Sequence, residues 1–118
     1  MKYMCLVYGQ EKDLHALTPQ GREKLDASSL AYDRSLQVSG RFIAAEALQS
    51  VRTAKSVRRR KGRTLVTDGP FAETKEQLLG FILIEAKDLD EALEIAADIP
   101  VAEMGTVEVR AIYDIPEP

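Results

Sequence analysis

Two rhythms run through the hydrophobic positions of this chain. In "KYMCLVY", residues 3 to 8 are apolar without a break. Side chains alternate across a strand, so this run predicts a strand over 2–8 with both faces buried. "GFILIEAK" over 80–87 repeats the pattern through Phe81, Ile82, Leu83 and Ile84. "RFIAAEALQS" predicts a strand ending near Leu48, with Glu46 inside it. "TVEVRAIYD" alternates strictly, with Val107, Val109 and Ala111 on one face and Thr106, Glu108 and Arg110 on the other. The helical rhythm appears twice. "DLDEALEIAADIP" carries Leu89, Ala92, Leu93 and Ala96 at i, i+3, i+4 and i+7, and Asp88 and Glu91 have capping-box spacing before them. Pro100 stops this helix. "LTPQGREKLDASSLAYDRSLQVSG" predicts a helix of roughly 20 residues, entered by Thr18 as N-cap and Pro19 at the first position and stopped by Gly40.

The longer helix has a mixed inner face. Leu25, Tyr32 and Leu36 share it, and Ser28, Ser29 and Ser39 lie close by. Small side chains let a helix approach its sheet, and close packing is the expected arrangement; a wet crevice is the alternative. Residues 54–60 and 63–67 flank Lys61-Gly62 and predict a hairpin with a two-residue turn.

Set in order, the elements are strand, helix, strand, hairpin, strand, helix, strand. Without the hairpin this is the ferredoxin-like β-α-β-β-α-β order of an α+β fold. Two helices cover one face of such a sheet. The apolar runs at 3–8 and 81–84 leave the other face apolar too, and no remaining segment is long enough to cover it. A second copy packed sheet to sheet is the economical cover, so a two-fold homodimer is expected.

The length of 118 residues suggests one domain, 1–118, able to bury a core without disulfide or metal staples. With 45% hydrophobic and 30% charged residues the chain is neither disordered nor fibrous. A net charge of -3 argues against general nucleic-acid binding. The basic cluster Arg58, Arg59, Arg60, Lys61 and Arg63 has no interleaved aromatics and reads as a solvated hairpin end. Cys5 lies alone in an apolar run, which fits a buried thiol in a reducing cytoplasm. One Cys and one His, His15, cannot build a zinc site of the usual kind, and no metal is expected. The N-terminal apolar run is too short for a signal peptide, and no segment approaches the roughly 18 apolar residues of a membrane span.

Candidate chemistry is sparse. No nucleophile-base spacing, phosphate loop or dinucleotide fingerprint occurs, so no cofactor is expected. Glu46, Glu108, Arg110 and the Ser28/Ser29 pair are polar groups amid apolar elements. Each alone reads most simply as an outward side chain or a local salt bridge; convergence on one cavity would mark a site. "TDGPF" is a rigid corner, with an Asx-turn at Asp68, special backbone freedom at Gly69, a fixed step at Pro70 and an apolar anchor at Phe71. Pro70 is placed to open a short helix, with Glu73 near its N-terminus. Such a corner is either plain architecture or the lip of a cleft.

The segments "KYMCLVYG", "EALQS", "LVTDGPFAETKEQLLGFILIEAKDLDEALEIAADIP" and "GTVEVRAI" resemble the DGPF-type members of the YCII-related family over nearly the whole chain. The resemblance implies a ferredoxin-like dimeric α/β barrel. It also implies, from some relatives, an enzyme using a His-Asp pair in the cleft, with the His on the first helix. Counting back from Gly40, the counterpart here is Ser29, so this chain departs at a key position. His15 lies outside the predicted helix and reads as a solvated loop residue. A general base would then be a carboxylate, with Asp68, Glu46 and Glu73 as the catalytic candidates and Ser29, Asp68, Gly69, Phe71 and Arg110 as ligand-binding candidates. Genes of this type commonly neighbour those of extracytoplasmic-function sigma factors, which implies a protein-binding regulatory module as the alternative to a small-molecule-binding protein or cofactor-free enzyme.

Overall fold

A computed structural model describes residues 1–118. Strand β1 (Lys2–Gly9) is central, antiparallel to β5 (Gln77–Glu85) on one side and to β6 (Thr106–Ala111) on the other. Strand β2 (Phe42–Ala47) pairs outside β5, so the order is β2-β5-β1-β6. Strands β3 (Lys55–Arg60) and β4 (Arg63–Asp68) form a separate two-stranded sheet. Three α-helices join these strands: α1 (Glu11–His15), α2 (Pro19–Val38) and α3 (Leu89–Ala97). Apart from the hairpin and the one-turn α1, the order is the expected β-α-β-β-α-β. The sheet of one chain is open, with β2 and β6 at its edges.

The helix ends follow their residues. Thr18 Oγ1 accepts from the Gly21 N–H at 3.0 Å, and Gly40 takes φ +76°, where a side chain would be strained. Asp88 Oδ1 accepts from the Glu91 N–H at 2.9 Å. The Glu91 carboxylate reaches back to the Lys87 N–H at 3.1 Å and receives Arg41 at 3.0 Å, tying α3 to the start of β2. The Tyr32 hydroxyl donates to the Ile95 carbonyl at 2.6 Å and locks α2 to α3.

One face of the sheet makes the core. Tyr3, Cys5, Val7, Ile82 and Ile84 pack with Leu36 of α2 and with Ala92, Ile95 and Ala96 of α3. Val107 and Val109 join it from β6, as their alternation predicts. The opposite face carries the row Ala44, Leu83, Met4, Arg110 and the row Glu46, Phe81, Leu6, Glu108. Its central residues are only half-buried, so within one chain the apolar runs are covered on one side alone.

The sequence expectation fails at the corner. No helical turn follows Pro70, and Glu73 caps nothing. The Gln77 side chain donates to the Thr74 carbonyl at 2.8 Å and to the Lys75 carbonyl at 3.3 Å, taking acceptors that a helix would have needed for its own backbone. His15 lies in no loop; it closes α1 and is exposed.

The hairpin is less separate than its sheet assignment suggests. The Leu48 N–H donates to the Leu79 carbonyl just beyond the β2–β5 ladder, and the Gly69 N–H donates to the Ala54 carbonyl just below the β3–β4 ladder, both at 2.8 Å. The two ladders are limbs of one long ribbon with a bend between them. Glu11 pins the bend by accepting from the Val51 N–H and the Ser50 hydroxyl, each at 2.8 Å, while its own N–H donates to Gln77 Oε1 at 3.0 Å. Beyond the bend the arm stands clear. Lys61 and Gly62 both take positive φ at its tip, the two-residue turn that matches strand twist. Val57 and Val66 face each other across it, yet are 65% and 61% exposed.

The molecule is therefore flat, 48 × 47 × 19 Å. Its radius of gyration is 16.4 Å, against about 13.5 Å for a compact chain of this length. Its accessible surface is 8714 Å², against about 6,400 Å² for a globular monomer of this mass. Charge is divided as well. Between Lys55 and Asp68 lie six of the sixteen Lys and Arg but one of the nineteen Asp and Glu, so a basic arm leaves an acidic body.

Candidate functional site: a cleft under the second helix

Strand β2 is built of small residues. Ala45 and Ala47 turn toward α2, and their neighbour across the ladder from Ala47 is Gly80, where a Cβ would stand 2.5 Å from the Glu46 carbonyl oxygen. Nothing on this part of the sheet fills the space below the helix. From Tyr32 onward α2 packs close, with Leu36 buried; Ser29 and the residues before it stand off. The result is an open cleft of about 630 Å³ between α2, β2 and β5, closed at one end by Ile99, Pro100 and Val101. The crevice alternative thus holds for the first half of the helix, and close packing only for the second.

Thirteen of the twenty lining residues are hydrophobic, so the polar ones are few enough to orient a ligand. Arg22, Asp26, Ser29 and Asp33 lie at i, i+4, i+7 and i+11, one flank of α2 above the strand. Arg22 Nε bonds Asp26 Oδ1 at 3.2 Å, so the two charges offset each other. Asp33 has no ion-pair or hydrogen-bond partner for its carboxylate in the chain, and burial raises its pKa above the usual aspartate range. Burial and nearby Asp98 push the Tyr32 phenol up to about 12, which keeps it the donor that its bond to Ile95 requires. Glu46 borders the cleft only through the β2 backbone; its side chain is exposed on the opposite face of the sheet.

The structure divides the sequence candidates. Ser29 lies in the cleft, and the Glu46 side chain lies on the opposite face of the sheet. Asp68 does not: it pairs with Lys55 at the base of the arm, with its side chain 89% exposed. Gly69 takes φ +91° and its carbonyl accepts from the Ser56 hydroxyl at 2.8 Å, which makes it part of the arm's closure. Phe71 is 82% exposed and anchors nothing within its own chain. Glu73 is exposed and makes no ion pair. Arg110 lies on the open face of β6 beside Glu108, at 3.7 Å. His15 stands outside the cleft, though Leu14 before it lines one side. No three His, Cys, Asp or Glu side chains gather into a metal-binding group.

The family model for the YCII-related domain matches residues 1–116. The chain belongs to the YCII-related family. It is 39% identical over 114 residues to an uncharacterized protein of Rhizobium meliloti (strain 1021), covering 95% of this chain and 92% of that one.

Asp33 is the cleft residue of this YCII-related chain that sequence reasoning missed. Its signal was present: a carboxylate four residues after Ser29 and one after an inward Tyr. What concealed it was the assumption that α2 packs close along its whole length, which would turn that flank to water. The Cys5 thiol is buried in the core and pushed up to about 11, and the Ser29 hydroxyl has no base within hydrogen-bond reach. No helix is long and apolar enough to cross a membrane.

Proposed function

We propose that this protein is a cofactor-free, cytoplasmic enzyme that binds a small organic molecule in the cleft and moves a proton on it through Asp33. The observation that carries this reading is a carboxylate without a partner at an apolar cleft of ligand size. Desolvation destabilises the anion, raises its proton affinity and brings it nearer the working pH of a general base. Ser29 is a hydrogen-bonding group beside Asp33, at the position that resemblance to some relatives assigns to a His. The active unit in this reading is a homodimer, a ferredoxin-like dimeric α/β barrel in which two open sheets meet. The half-buried Met4, Leu6, Phe81 and Leu83 support that arrangement, as do an arm with no partner in its own chain and about 2,300 Å² of surface beyond that of a globular monomer.

The cleft is tested by thermal-shift screening of a metabolite library against wild type and Ser29→Phe, which fills the space below α2. Ligands should raise the melting temperature of wild type by several degrees and that of the variant by less than a third as much. Equal shifts in both proteins, or none in wild type across the library, would overturn the assignment.

A further inference from the structure

Resting on the cleft as the binding site, we infer that its ligand is a hydrophobic amine, held with its cationic head toward Asp33 and its hydrocarbon body over the alanine floor of β2. The argument begins with the charges that reach the cleft. Two carboxylates line it, those of Asp26 and Asp33, against one guanidinium, that of Arg22. The guanidinium is already bonded to Asp26. An anionic ligand would therefore find only a guanidinium already offset by a carboxylate, and would meet uncompensated negative charge at Asp33. Like charges repel more in a partly desolvated space than in bulk water, because fewer water molecules screen them.

A neutral ligand would leave Asp33 as it stands, half-desolvated and without a partner. An ammonium group changes both terms. It supplies the ion pair and up to three hydrogen-bond donors to a group that is acceptor-only when ionised. The carboxylate has already lost part of its hydration in the free protein, so less remains to be stripped on binding. The apolar part of the site sets the other half of the ligand. Ala45, Ala47, Gly80 and Ile82 form a floor with no hydrogen-bonding side chain, and Leu25, Leu30 and Leu48 line the cleft around it. A polyamine or a sugar amine would bury polar groups there without partners. A single amine on a flat or branched hydrocarbon body meets both halves, and about 630 Å³ accommodates a bicyclic one.

The test is a matched series with one body and three heads: naphthylethylamine, naphthylethanol and naphthylacetate, titrated by calorimetry into the full-length protein at pH 7. The amine is expected to bind at least tenfold more tightly than the alcohol, and the carboxylate more weakly than either. In Asp33→Asn the amine's advantage over the alcohol should fall below threefold, with the alcohol's own affinity little changed. Arg22→Gln, which frees Asp26, should tighten the amine severalfold and leave the alcohol alone. If the alcohol or the carboxylate binds best, or if Asp33→Asn keeps the tenfold preference, the amine assignment fails while the cleft stands. If none of the three binds at millimolar concentration, the cleft reading falls with it.

Discussion

Asp33 costs the fold something at neutral pH, and that cost has a definite sign. Its folded pKa is raised, with burial as the cause. Stability contributed by the protonated carboxyl is fully present below the ordinary aspartate value of about 3.9 and is lost as pH rises through the folded value. Asp33→Asn removes the ionisation and should melt at higher temperature than wild type at pH 7. The gap should close as the pH falls below that ordinary value, where both side chains are neutral. Calorimetric melts across this range decide the matter; a lower melting temperature for the variant at pH 7 would contradict it. A residue that weakens the fold and faces a cleft fits the common exchange of stability for function.

At the scale of elements, the bend in the ribbon hangs on Glu11. The Val51 N–H, helped by the Ser50 hydroxyl, His15 and Arg52, holds its carboxyl below the usual glutamate range despite some burial. A depressed folded value means that the stabilisation is present above the ordinary glutamate value of about 4.3 and disappears as pH falls through the folded one. The Val51 amide proton should therefore shift in NMR titrations with an apparent pKa below that ordinary value. In Glu11→Gln the titration should vanish, and amide exchange around 50–53 should quicken severalfold while β1 is unchanged. A Val51 shift that follows a normal glutamate titration would refute the pin.

How legible these elements were depended on where their bonds go. Strand β1 and helix α3 could be read outright, because their burial patterns repeat over short windows and their caps are local, as at Asp88. The tip at Lys61-Gly62 was equally clear, since positive φ has few tenants. The corner after Pro70 was misread because Gln77, seven residues on, bonds the carbonyls that a helix would have kept. The role of Glu11 has no local signal in the sequence, because its partners are about 40 residues away. The cleft escaped for a related reason. Ala45, Ala47 and Gly80 look unremarkable along the chain and make a void only once paired beneath α2.

The whole molecule makes one strong demand, a partner for the arm. If a second copy supplies it, Val57 and Val66 are buried in the assembly and their replacement is felt there. The pair Val57→Asp and Val66→Asp should raise the dimer dissociation constant by at least about a hundredfold, two steps of roughly 1.4 kcal/mol. Circular dichroism of the body should be retained, since the arm gives it little support. Sedimentation equilibrium checks both states. Wild type running as a monomer at tens of micromolar, or a variant that still dimerises normally, would remove the arm from the interface.

The uneven charge of arm and body matters before any such contact forms. A net charge of -3 describes neither end of a molecule with five positive charges in excess on the arm and eight negative on the body. At a distance the protein is an electric dipole; face to face, where the 19 Å thickness allows the closest approach, two such dipoles attract when antiparallel, arm over body. The field would orient copies on approach, over a range that physiological salt cuts to about 8 Å. For copies that approach face to face, orientation of this kind favours an antiparallel, two-fold pair over a parallel one while the surfaces are still separated by water.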